Sequence, residues 1–333
     1  GSLALLWVAC DLSREALWRR RIVETMVATA ASVALFGILQ KLHLLPLLTT
    51  HPGHPESVFG PFDYHGNAGA FLNLMIPLGL AIAFKTRRRA ATLLALTATL
   101  LCIVALCLNI SRGAQLILTL ELLAALLWTG VVIAKSRQRM RLPLRLALVG
   151  LAVAVAAATL LLVTTKRGSL WDYLQQGRHS GRALAAEVAW GMSTDHPLWG
   201  SGPGSFKLLF PRSPHWIPEL YAHWIVTDHI PGNRVSEWSY ACNDLLQSAV
   251  EWGWVGVGLW LLLIGGAFAR LLRPSRLRGP TDAAVAIALA GLFLHALADY
   301  PLQIPAIQLY VAVLLGIAWR RTSAAEHALP AGR

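Results

Sequence analysis

Charge is scarce in this chain. Only 14% of its 333 residues are Asp, Glu, Lys or Arg, and 56% are hydrophobic. A soluble domain carries about 25% charged residues, so a water-soluble globular protein is excluded. The apolar residues fall in long unbroken runs. A helix needs about 20 apolar residues to cross the hydrocarbon layer. Lipid offers the backbone no hydrogen bonds, so each run is expected to be a helix. Acidic residues are scarcer than basic ones, 17 against 29, for a net charge of +12. In a soluble protein that excess suggests nucleic acid. Here the basic residues stand in short blocks between apolar runs, the pattern of the positive-inside rule, which argues against nucleic acid as a partner. Cysteine is scarce too. Cys10, Cys102 and Cys107 lie in or beside apolar runs and read as small core residues. Only Cys242 lies near a polar loop, so no disulfide framework is implied. No signal peptide and no internal repeat is visible in these residues. The chain begins Gly1-Ser2 without Met, inside an apolar run, which predicts that it is cut from a longer protein.

What is present is a series of spans. Apolar runs and breakers predict an all-α, polytopic transmembrane helix bundle of about nine crossings. They fall at 1–10 (partial), 22–40, 66–84, 90–108, 113–134, 144–165, 245–269, 281–298 and 303–319. Most of the Lys and Arg lie in 11–21, 85–89, 135–145, 270–282 and the tail 320–333, while the intervening short loops hold only Lys41 and Arg112. That alternation agrees with the hydropathy. Blocks such as Arg87-Arg88-Arg89 read as orientation signals. Three regions follow. Residues 1–165 hold a partial first span and five more, 166–243 form a large, mostly helical extracytoplasmic loop, and 244–333 hold three spans and a cytoplasmic tail.

In the long loop, residues 183–192 predict one short helix with Leu184, Val188 and Met192 on one face. Pro197 and the run Gly200-Ser-Gly202-Pro-Gly204 are expected to end it. That run is no dinucleotide fingerprint, because no βαβ pattern surrounds it. It reads as a tight turn packing on the bundle, with an anion nest as the alternative. Trp199, Trp216, Trp224 and Trp238, with His215, His223 and His229, either stack on sugars or sit in the headgroup layer. The pair His51-Pro-Gly-His54 lacks a carboxylate to complete a metal site, and no metal is expected there.

Several polar residues break the apolar pattern. Asn109-Ile-Ser111-Arg112-Gly113 interrupts it between two spans, and a charge near the membrane needs a partner or water. Arg178, His179 and Arg182 precede the loop helix, and arginine forks suit phosphate. Glu251 lies in a span and calls for a partner, for which Arg112 or Arg182 is a candidate. Gly253 and Gly256 read as sites of close helix packing. His295 and Asp299 are four apart on one helix face.

In order and spacing these pieces resemble the O-antigen ligase and polymerase superfamily of membrane glycosyltransferases. The landmarks are Gly60-Pro-Phe-Asp-Tyr-His-Gly-Asn67, Ser111-Arg112-Gly113, Gly181-Arg182, Asp195-His-Pro-Leu-Trp-Gly-Ser-Gly-Pro-Gly, Asn243-Asp244-Leu-Leu-Gln247 through Glu251-Trp-Gly253, and His295 through Pro301. The resemblance implies an enzyme of the bacterial inner membrane that moves a glycan from undecaprenyl diphosphate to an acceptor hydroxyl at the periplasmic face. The acceptor would be lipid A-core, another glycan or a protein. Ligase, polymerase and protein oligosaccharyltransferase all fit, and membrane lipids are the remaining partners. Matching positions would give Arg112 and Arg182 to the donor diphosphate, whose charge develops as it leaves. Asn67, Arg178, Asn243, Asp244, Gln247, Glu251, His295 and Asp299 would bind substrate or orient these groups.

One position departs. The family motif is His followed by Asn, Ser or Gln, then nine residues, then Gly. Here Cys242 occupies the His position, with Gly253 closing the motif. A thiol titrating low between arginines would serve as base. Asp244 or His223 is an alternative. So is an inactive scaffold. A transporter or flippase is the reading from another class, but the chain lacks two related halves.

Overall fold

The computed structural model describes residues 1–46, 58–86, 88–135, 181–215 and 240–321, with a few isolated positions besides. Among these residues it is all helical, and the one β feature is an isolated bridge between Phe59 and Phe62. Nine helices longer than one turn are described: α1 (Ser2–Leu12), α2 (Ala16–Lys41), α3 (His65–Lys85), α4 (Arg89–Leu108), α5 (Arg112–Lys135), α6 (Gly181–Asp195), α7 (Asp244–Leu271), α8 (Pro280–Ala296) and α9 (Pro305–Trp319). Five of them, α2, α3, α4, α5 and α7, are long and apolar enough to cross a membrane. The expected crossing at 144–165 lies almost entirely outside the described residues, as do Arg87, Arg178, His179, His51, His54, His223, His229, Trp216, Trp224 and Trp238. The helices α8 and α9 hold 17 and 15 residues. At 1.5 Å per residue they reach about 25 and 22 Å, short of the roughly 30 Å hydrocarbon layer.

The chain divides into two compact units. The first comprises 1–163, 265–293 and 305–333. Its centre is α3, buried along most of its length and packed on α2, α4 and α5; α1 packs on α9. Small residues allow the approach. A side chain at Gly69 would collide with Ala114 of α5, and one at Gly79 with Thr99 of α4. Arg276, Asp282 and Arg320 form a buried ion cluster in this unit. Asp282 pairs with Arg276 at 3.1 Å and Arg320 at 2.7 Å. Both arginines also donate to the Ile317 carbonyl at the end of α9. Arg276 comes from a block read as an orientation signal, and its buried pairing gives it a structural role as well.

The second unit comprises 164–264 and 294–304. The α6 helix forms where expected and ends at Asp195, before Pro197. Its buried face, Ala185, Val188, Ala189 and Met192, packs with Phe206, Phe210, Ala241 and Val250. The rings of Phe206 and Phe210 are fully buried, 5.0 Å apart, each stabilising this small core by about 1.5–3 kcal/mol.

The expected single span at 245–269 is corrected by a break. Gly253 in α7 has φ 67° and ψ 175°, which no helix accommodates. The break strands carbonyls below it and amides above it, and the glycine turn pairs both. Ser201 and Gly202 donate to the carbonyls of Val250 and Glu251 at 2.8 and 2.9 Å. Trp254 and Val255 donate to the carbonyls of Pro197 and Leu198 at 2.8 and 3.3 Å. Broken helices persist at membrane depth where protein satisfies the freed groups in this way. A Cβ at Gly253 would run into the Leu198 carbonyl, and one at Gly200 would meet Gly253 N at 2.5 Å. Gly253 therefore serves a backbone interlock with the turn, where the sequence suggested contact between helices.

Candidate functional site

In the second unit, four of the expected residues come together. The Arg182 guanidinium lies 3.8 Å from Asp299, the arginine side chain 43% exposed and the aspartate 3%. His295 Nε2 lies 3.7 Å from the same oxygen of Asp299. Asp299 is past the end of α8, not on its helical face, and its other oxygen accepts from its neighbour's Tyr300 N–H at 3.0 Å. Burial alone would push the Asp299 carboxyl up. The nearby His295 ring and the Arg182 charge outweigh it, holding Asp299 below its ordinary value and ionised. Arg182 is the second residue of α6. A cation there faces the positive end of the helix dipole, so Asp299 supplies the compensation.

Cys242 is buried in the same cluster at φ 51°. Its titration differs from expectation. Burial pushes the thiol up to about 12, and the nearby Arg182 charge does not offset it. Desolvation outweighs a half-exposed guanidinium because water screens the latter. Tyr240 and Tyr300 stack beside this cluster, ring centroids 4.2 Å apart. Burial likewise pushes the Tyr300 phenol up.

The residues after Cys242 hold the scaffold. Asn243 caps α7, accepting from Leu246 N–H at 3.0 Å and donating to the Leu297 carbonyl at 2.9 Å. Asp244 accepts from Leu302 N–H and Gln303 Nε2 at 2.8 and 2.9 Å. Gln247 accepts from Ala241 N–H and donates to Glu251 at 3.1 Å. Glu251 receives Gly204 N–H on its other oxygen at 2.9 Å. Its carboxylate is thus held by Gln247 and Gly204, which replaces the arginine suggested from sequence. The turn also has something of the anion nest, but the anion at Gly204 is the protein's own.

In the first unit, the interruption at 109–113 builds a helix start. Ser111 caps α5 through Ala114 N–H at 3.2 Å. Asn109 accepts from Ser111 N–H and donates to the His65 carbonyl, both at 2.8 Å. Gln115 returns to the Asn109 carbonyl at 2.9 Å. Arg112 is therefore the first residue of α5 and half-buried. Asn67 is buried within α3, and its side-chain oxygen has no hydrogen-bond partner.

Sequence reasoning passed over Glu121. It is buried in α5, both carboxyl oxygens lack hydrogen-bond partners, and a side chain at Gly291 of α8 would strike it. The signal was available, since it is the one acid within its span. Among the described residues no group of three or more His, Cys, Asp or Glu could hold a metal ion.

No curated protein matches the chain. Residues 97–261 match the family model of the O-antigen ligase domain, covering α5, α6, the glycine turn, Cys242 and the break in α7. Over that segment, just short of half its length, the chain is similar to the O-antigen ligase domain, consistent with the O-antigen ligase and polymerase superfamily.

Proposed function

We propose that the protein transfers a glycan from undecaprenyl diphosphate to an acceptor hydroxyl at the periplasmic face of the bacterial inner membrane, as an O-antigen ligase does. The observation that carries this reading is a repeated placement. Arg112 is the first residue of α5 and Arg182 the second of α6. A helix start attracts anions through its free amides and dipole. An arginine in that position adds a planar fork suited to phosphate. Each is thus a phosphate-binding element, and Arg182 is also half-exposed. Preorganised cations of this kind stabilise the charge that grows on a departing diphosphate.

The acceptor proton then needs a base. A thiol near pKa 12 is about 10⁻⁵ ionised at pH 7, too little for the work. We assign the proton to the Asp299–His295 pair, in the cluster that contains Cys242. Gln247, Glu251, Asn243 and Asp244 are positioning residues in this scheme, because their polar atoms hold one another and the backbone. Asn67 and Arg178 remain proposed substrate contacts. A polymerase or protein oligosaccharyltransferase would use the same chemistry with a different acceptor.

The test is transfer from a lipid-diphosphate glycan in proteoliposomes. Arg112→Ala and Arg182→Ala should each abolish transfer while the protein still inserts. Full transfer by either variant overturns that residue's assignment. Solute uptake into the vesicles without transfer would replace the reading with a transporter.

A further inference from the structure

We propose that α6 and the turn after it are seated in the membrane headgroup layer. Trp190, Leu198, Trp199, Trp252 and Trp254 form the contact. The partner is a phospholipid surface.

The argument starts at the break in α7. At Gly253 the chain is pinned by the turn; after it the stretch 254–271 runs about 27 Å as helix, close to the thickness of the hydrocarbon layer. Only 17% of the helix's apolar window is buried inside the protein. Val255, Leu259 and Leu262, at i, i+4 and i+7, form an exposed stripe that lipid covers. Trp252 and Trp254 top this stripe, at the depth where indoles concentrate, with the ring in the apolar boundary and the N–H towards water.

The interlock then fixes the loop at the same depth. Trp254 N–H bonds the Pro197 carbonyl, and Val255 N–H bonds that of Leu198. Leu198 and Trp199 lie against the Gly253 Cα, and the Trp190 ring packs edge-on to Trp254 at 5.8 Å. Yet Trp199 is 75% exposed, Leu198 61% and Trp190 56%. Apolar side chains this exposed, held against the start of the α7 stripe, extend its exposed apolar surface. Leu198 decides against a sugar platform, because a hydrophilic glycan gains nothing from covering it.

The consequence concerns Arg182, eight residues before Trp190 and about 12 Å away along the helix. Seating α6 in this layer holds its guanidinium near lipid phosphates. That consequence rests on the transferase reading; the seating does not.

The experiment measures depth, not activity. With the four native cysteines replaced by serine, single cysteines at Trp199, Trp190 and Leu259 carry a nitroxide in phosphatidylcholine–phosphatidylglycerol vesicles. Power saturation compares collision with oxygen and with an aqueous nickel chelate. Labels at 199 and 190 should give ratios between that of 259 and that of a water-soluble nitroxide. A water-like ratio at both overturns the proposal. So does immobilisation of these labels by added oligosaccharide alone, which indicates a sugar platform. Dipolar broadening that unlabelled protein dilutes away indicates a second copy and overturns it as well. Because labelling removes the rings, Trp190→Ser with Trp199→Ser is tested through a label at Glu187. That label should move outward by about 5 Å; no movement in a folded variant overturns the anchoring role.

Discussion

The Gly204 amide donates to the Glu251 carboxylate at 2.9 Å, tying a loop glycine to a buried acid in a membrane helix. The bond sits beside the backbone interlock that repairs the break at Gly253. The core around α6 also includes Val250, the residue before Glu251. The position of Arg182 therefore depends on this clasp as well as on α6 itself.

Glu251→Ala should strand the Gly204 amide and one Gln247 donor. An unsatisfied buried group costs about 1–3 kcal/mol. Thermal unfolding in detergent should show the loss, and hydrogen exchange at Gly204 should quicken. Unchanged exchange would remove Glu251 as the clasp.

Two glycines of α7 should behave oppositely. Gly253→Ala must place a Cβ at φ 67° against Leu198 and Trp199. The backbone strain alone costs about 1–3 kcal/mol. Gly258→Ala meets nothing within 4 Å and should be neutral or stabilise by about 0.5–1 kcal/mol. Equal melting shifts would contradict the break.

Cys242→Ser should change transfer by far less than the roughly 100-fold expected for loss of a general base. A larger loss would return the thiol to the chemistry. The pH dependence has a definite sign. The folded thiol pKa, about 12, is raised by burial. Its stabilisation is complete below the ordinary thiol value of about 8.5 and disappears as pH rises towards 12. Replacement by serine should flatten that alkaline limb of stability.

Asp299 has the opposite sign. Its carboxyl is held below the ordinary value by His295 and Arg182, against the effect of burial. It contributes stability above the ordinary carboxylate value of about 3.9, and this is lost as pH falls through the lower folded value. Asp299→Asn should weaken the acid limb of the stability curve and lower transfer by 10²-fold or more, the scale of acid–base loss. Normal transfer by the asparagine variant would release Asp299 from the mechanism.

Asp282→Ala should leave two buried guanidinium groups without their carboxylate. Removing one partner of a buried pair costs about 3–5 kcal/mol. Protein yield and melting in detergent measure it. A variant as stable as the parent would reduce the cluster to an orientation signal.

Periodicity and charge placement were enough to predict the helices, because lipid leaves the backbone one way to satisfy its amides. Apolar runs therefore became α2 to α5, within a residue or so at every end except the start of α2, which begins at Ala16 and not at 22, and Pro197 marked the limit of α6. The sequence showed 109–113 as an interruption between spans, and only the structure showed that Ser111 caps a helix starting at Arg112. The break in α7 was hidden. A glycine in an apolar run reads the same whether it packs a helix or ends one, and only the carbonyls of Pro197 and Leu198, more than fifty residues earlier, distinguish the two. The partner of Glu251 and the neighbours of Arg182 were equally out of reach, since both pairings join distant segments. Cys242 shows the same limit in electrostatic form. Sequence placed it near a cation, but burial sets its titration, and burial belongs to the packed chain. Composition alone thus determined the solvent and the elements; tertiary contact decided which polar atoms hold the frame and which remain for substrate.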